Sequence, residues 1–238
     1  MVDAILGLAL SLATVMPTGI SVVTGVAQGV SEQHKQNADA ANQTRMLKFH
    51  LDVETDPPLP SSHPLHNSIL TLRDSRLYIV RKNPETNLPA NGWHPFTGFY
   101  IAYPDNDRCY TRGLVSTISV DPPVLNWIYI DKDSHRACCA TRTGSIAHHV
   151  GSYDWTTEEN EDSRVTLDGW EGWVAVEEEE GVWAVFYDWA DNGLQGKVGK
   201  GRRKEDVMLR RRVITGQEVN QWGLKEEGNI GFKKTREV

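Results

Sequence analysis

The chain has 238 residues, 39% hydrophobic and 24% charged, a balance that excludes a disordered polymer and suits one domain with appendages. A formal net charge of −7 argues against nucleic acid as a partner, because binding phosphate backbones needs a positive footprint. Three cysteines, Cys109, Cys138 and Cys139, two of them adjacent, make a poor disulfide framework and point to a reducing compartment.

The first element is uncharged. Ala4 to Val30 holds no Asp, Glu, Lys or Arg, and is long enough to cross a bilayer, which takes about 20 residues. Scattered Ser, Thr and Gln lower its hydropathy, and Pro17 divides it. In the second half Ser21, Thr24, Gln28, Ser31 and Lys35 recur at three- and four-residue steps, with Ile20, Val23, Ala27 and Val30 on the other side of the predicted helix. Gly25 and Gly29 form a small-xxx-small pair that lets helices approach closely. Ile20, Val23, Gly25, Ala27, Gly29 and Val30 are therefore the candidate association residues. Asp3 stands where a signal peptide carries positive charge. Three readings stay open: a helix buried against the domain or within an oligomer, a membrane element, or a cleaved signal. For a spanning segment, Lys35, Arg45 and Lys48 would keep the following domain in the cytosol.

Residues 1–45 are thus predicted as an apolar helical segment with a linker, 46–215 as a Trp-rich β domain, and 216–238 as a polar tail. Strand signals begin at Lys48 to Val53. Leu70 to Leu72 and Leu77 to Val80 flank the turn Arg73-Asp74-Ser75-Arg76. Phe96 to Tyr103 and Leu114 to Val120 follow. Leu125 to Ile130 is predicted to pair with Arg136 to Thr141, and Trp173 to Glu177 with Val182 to Tyr187. Val207 to Ile214 is the last strand. The class is mainly β, with antiparallel sheets in a sandwich or barrel-like arrangement behind an N-terminal helical segment. The two central hairpins share a form, but no sequence repeat is convincing.

Chemistry is harder to find. Asp105-Asn106-Asp107, Asp131-Lys132-Asp133, and Asp188 with Asp191-Asn192-Gly193 have carboxylates at calcium-like spacing, yet lack the full ligand loop and read as turns. Cys138 and Cys139 point to opposite faces of a strand, so they cannot readily share one ion and read as buried thiols. No nucleophile elbow, Walker motif or dinucleotide fingerprint is present. The expectation is no catalytic residue, no metal and no cofactor. Asp154 to Glu180 carries eleven acidic residues against Arg164 alone, while Gly196 to Arg212 is strongly basic. The basic patch, Lys197, Lys200, Arg202, Arg203 and Lys204, suits a solvated loop, pairing with the acidic block within the fold or between subunits, or anionic lipid. Trp170, Trp173 and Trp189 fall in a tryptophan-dense stretch and are the candidate ligand-stacking aromatics. Alternation puts Trp173, Ala175 and Glu177 on one face of their strand, Val174 and Val176 on the other.

Four stretches, His94 to Pro104, Arg112 to Asp131, His148 to Thr156 and Leu167 to Asp188, resemble a widespread family of functionally uncharacterised proteins of filamentous ascomycete fungi, with a glycine-rich apolar leader ahead of a Trp-rich domain. The resemblance extends from the leader to about Arg212. It implies a fungal, intracellular setting and brings no site residues with it.

The leading functional expectation is a nonenzymatic scaffold or interaction protein that self-assembles as a homo-oligomer or associates with membrane lipid through its leader. Its place would be the cytoplasm, or a membrane surface with the β domain in the cytosol. The alternatives are a carbohydrate-binding β module using the tryptophans, and an enzyme built on Asp105, Asp107, His148 and His149.

Overall fold

The computed structural model describes residues 47–105, 107, 109–119, 124–156 and 162–214. The predicted association residues 20–30 lie outside them, as does the polar tail. No helix of the described residues is long and apolar enough to cross a membrane.

Six strands close a barrel. β1 (Phe49–Glu54) runs antiparallel to β14 (Met208–Val213), from Phe49↔Val213 to Glu54↔Met208. On its other side β1 meets β5 (Gly98–Ala102) at Phe49↔Gly98. β5 pairs along its length with β6 (Arg112–Ser119). β6 adjoins β9 (Tyr153–Trp155), where the Arg112 amide donates to Ser152 Oγ at 3.3 Å. β9 pairs with β10 (Val165–Leu167), and an isolated bridge, Arg164↔Arg210, carries the ring back to β14.

Three hairpins cover one end of this barrel. They are β2 (Ser68–Arg73) with β3 (Arg76–Arg81), β7 (Val124–Ile130) with β8 (Ala137–Ala140), and β11 (Trp173–Glu179) with β12 (Val182–Tyr187). Each touches the other two, through Arg76↔Cys138, Ile79↔Trp183 and Arg136↔Phe186. The chain therefore repeats one four-strand unit three times: β1-β2-β3-β5, β6-β7-β8-β9 and β10-β11-β12-β14. Two short strands, β4 (His94–Pro95) and β13 (Lys204–Asp206), and a single helical turn, α1 (Arg142–Ser145), fill the connections. Of the predicted alternatives the barrel is the one observed. The repeat that the sequence hid is one of backbone path, not of residue identity.

The turns explain the hairpins. Asp74 and Ser75 both adopt the left-handed region (φ 49° and 61°), the two-residue turn whose twist matches flanking strands. Between β7 and β8, Asp131 Oδ1 accepts the amides of Asp133 (3.1 Å) and Ser134 (2.7 Å), so this acidic pair builds the turn.

The core is aromatic. Trp155 meets Phe49 at 4.9 Å and Tyr100 at 4.7 Å, both edge-on. The predicted alternation along β11 holds, but both of its faces are covered. Trp173 and Ala175 enter the main core, while Val174 and Val176 join a second cluster with Tyr78, Ala184, Phe186 and Leu194. In β8, burial pushes the Cys139 thiol up to about 11 and raises that of Cys138. Cys109 is exposed. Cys138, expected to be buried, is only half-buried, so native protein treated with Ellman's reagent should release one equivalent promptly from Cys109 and a second slowly from Cys138, with Cys139 reacting only on unfolding. Rapid release of more than one equivalent would contradict this packing.

Candidate functional site

The site grows from the end of β12. The Asp188 carboxylate is buried, and it accepts the amides of Gly193 (2.6 Å), Leu194 (3.1 Å) and Ala190 (3.2 Å). Those bonds fold residues 188–194 into a tight loop, with Asp191, Gly193 and Leu194 in the left-handed region. Leu194 anchors the loop in the second cluster. Trp189 stands on the loop with 36% of its surface exposed.

Three rings hold that indole edge-on: His135 at 4.9 Å, His149 at 5.0 Å and Tyr187 at 5.0 Å. His135 lies on the β7–β8 loop in the left-handed region (φ 62°), its carbonyl accepting the Tyr187 amide at 2.9 Å. Its ring resists protonation, first because of burial and then because of nearby Lys197. His149 is pinned to Ile130 by a pair of backbone bonds at 2.8 and 3.1 Å. Its Nε2 lies 2.6 Å from Asp168 Oδ2, and the Ser152 amide donates to the other carboxylate oxygen at 2.8 Å. Asp168 opens the β10–β11 turn, in which Trp170 is 49% exposed. The Tyr187 hydroxyl lies 2.7 Å from the Leu167 carbonyl and 2.8 Å from that of Trp170, tying this turn to the Trp189 loop. Gly172 is required here: a Cβ would run into the Trp170 indole and stand 2.7 Å from the Asp188 carbonyl oxygen. The result is a surface patch with an exposed indole, two imidazoles and a held, half-exposed carboxylate, drawn from the second and third repeats.

Two of the three predicted stacking aromatics, Trp170 and Trp189, are thus exposed and joined through Tyr187. Trp173 is not part of the patch. It is 2% exposed, and its Nε1 donates to the Val165 carbonyl at 2.8 Å inside the barrel. Sequence reasoning missed His135 and Asp168 as neighbours of Trp189, since they come from separate loops. No local sequence signal joined them to Trp189, because their approach depends on pairing between distant segments.

The residues of the enzymatic reading go to different partners. Asp105 accepts the Asp107 amide at 3.1 Å, and His148 stacks on Tyr129 at 4.8 Å and faces Asp131 at 3.3 Å. Among the described residues no group of three or more His, Cys, Asp or Glu is placed to hold a metal ion.

The basic patch is partly consumed by the fold. Arg203 forms a two-pronged pair with Glu177, holding that carboxyl below the usual range, and its guanidinium lies over Trp183. Arg202 donates to the Glu177 carbonyl at 3.3 Å, Lys204 to that of Gly193, and Lys197 to that of Asp133 at 2.9 Å. Arg136 pairs with Glu178. Part of the acidic block therefore meets basic residues inside one molecule, and Lys200 stays exposed.

A six-stranded barrel capped by three hairpins in a threefold repeat defines the β-trefoil class. The chain belongs to the fungal β-trefoil domain family, whose model matches residues 25–215. No curated protein and no solved structure matches it.

Proposed function

We propose that this β-trefoil is a nonenzymatic recognition module that binds a saccharide at the Trp189 patch. The observation that carries this reading is the exposed Trp189 indole, held by His135, His149 and Tyr187, beside the Asp168 carboxylate. Apolar sugar faces stack on indole rings, and hydroxyls bond well to a carboxylate already oriented by an amide and an imidazole. Trp170 supplies a second exposed ring on the adjoining turn.

The test is a glycan array with the full chain, followed by calorimetry on the best saccharide. Trp189→Ala is expected to weaken binding about thirtyfold or more, the roughly 2 kcal/mol of a buried aromatic anchor, with little change in thermal midpoint. A silent array, or a saccharide that binds Trp189→Ala as well as the parent, would overturn the reading.

The uncharged Ala4–Val30 segment, with Gly25 and Gly29 spaced for helix contact, supports a second proposal: the leader associates with membrane lipid or with other copies of the chain. Liposome flotation and light scattering of the full chain beside one starting at Met46 test it. Loss of flotation or of a defined oligomer on truncation is the expected result, and identical behaviour of the two chains would remove the proposal.

A further inference from the structure

The indole and the carboxylate of the Trp189 patch share a neighbour. His149 holds Trp189 edge-on at 5.0 Å, and its Nε2 lies 2.6 Å from Asp168 Oδ2, so only an imidazole stands between the carboxylate and the indole. The Asp168 side chain stays 45% exposed. Each of its oxygens has one bond, Oδ1 with the Ser152 amide and Oδ2 with His149. A carboxylate can accept about four, so lone pairs remain for a ligand.

The charge around the indole is negative. Asp191 is exposed on the Trp189 loop, and the buried Asp188 carboxylate anchors that loop through three amides. Glu171 on the adjoining turn is matched by Arg164 at 3.1 Å. Burial, and then Lys197, keep the His135 ring from taking up a proton, so it adds no positive charge. The Lys197 ammonium is bound to the Asp133 carbonyl at 2.9 Å, two residues before His135. Asp168, Asp188 and Asp191 thus outnumber Lys197, on a chain whose net charge is −7. A carboxylate and the face of an indole both attract a cation, and the field of the whole protein draws one in.

We infer that the ligand of this patch is an amino sugar with a free amine, its pyranose face on Trp189 and its ammonium on Asp168; the inference rests on the saccharide reading of the patch and narrows it. An ammonium brings three donors and no acceptor, which suits a carboxylate with lone pairs to spare. Acetylation removes the charge and leaves one N–H beside a carbonyl oxygen that the carboxylate repels.

The experiment is calorimetric titration of the full chain, at neutral pH and low salt, with a chitosan oligosaccharide and with its fully N-acetylated counterpart. The free amine should bind about tenfold more tightly, because its bonds to Asp168 are charge-assisted, and added salt should shrink the advantage. Asp168→Asn should erase the preference. Asn tolerates the left-handed backbone there (φ 53°) and keeps an acceptor for the Ser152 amide. Asp74→Asn removes the same charge from an exposed turn of the first repeat with the same backbone hand (φ 49°), and should leave the preference intact. Trp189→Ala should weaken binding of both oligosaccharides. Equal binding of the two forms, tighter binding of the acetylated form, no binding of the amine at millimolar concentration, or an amine preference that survives Asp168→Asn would each overturn the inference. A different saccharide that binds at Trp189 while the chitosan oligosaccharide does not would sink this inference alone and leave the saccharide reading standing. The comparison of amine with acetamide needs no variant, so it holds even where a substitution perturbs folding.

Discussion

Asp52→Ala is expected to lower stability by about 3–5 kcal/mol, the cost of stripping the partner from buried cations. The Asp52 carboxylate is 5% exposed and sits between two of them. Lys82 Nζ, 11% exposed, is 3.0 Å from Oδ2, and Arg212 Nε, 23% exposed, is 3.3 Å from Oδ1. Arg212 also donates to the Asn87 carbonyl at 2.8 Å. Three parts of the chain converge on one carboxylate: β1, the segment after β3, and β14. The first and last barrel strands are thus pinned by the same group that holds the β2–β3 hairpin against them. Removing it strands an ammonium in a site with little water, which the small Coulomb gain of an exposed pair would not predict. Denaturant midpoints measure the loss. Adding Lys82→Met to Asp52→Leu should recover part of it, since an apolar pair of similar volume escapes the desolvation penalty. A loss under about 1 kcal/mol for Asp52→Ala would place the cluster among ordinary surface pairs.

How much of this was legible depends on where the information sits along the chain. The three hairpins announce themselves because a turn is local: Asp74-Ser75 and Asp131 to Ser134 make their bonds within a few residues. β9 and β10 do not, since three-residue strands such as Tyr153–Trp155 carry too few positions to show a period. The threefold plan is equally silent. The first strands of its three units bury different residues, among them Phe49 in β1, Leu114 in β6 and Val165 in β10. Alternation along β11 was read correctly, yet it could not reveal that the Val174 and Val176 face is covered by the loop carrying Leu194. Trp173 therefore looked as available as Trp189. The patch was half visible, in its tryptophans; His135, His149 and Asp168 meet only through long-range pairing.

Trp173 is the test of that distinction. Trp173→Ala is expected to destabilise the fold by about 3–5 kcal/mol, the range for deleting a buried Trp. The ring lies edge-on to Tyr187 at 4.9 Å and stacks over Tyr153 at 6.5 Å, so its loss opens a cavity where the second and third repeats meet. It would also leave the Val165 carbonyl without the indole donor at 2.8 Å. Trp173→Phe separates the two terms: most of the ring volume stays while the donor goes, and a loss of about 1–3 kcal/mol should remain. Denaturant unfolding followed by circular dichroism reads both. Because Tyr187 packs on Trp173 from one side and on Trp189 from another, the cavity should also loosen the surface loop, so saccharide affinity in Trp173→Ala should fall together with stability. In Trp189→Ala affinity should fall alone. Were Trp173→Ala to keep its stability and lose only binding, the ring would belong to the ligand and the barrel would have to be packed differently.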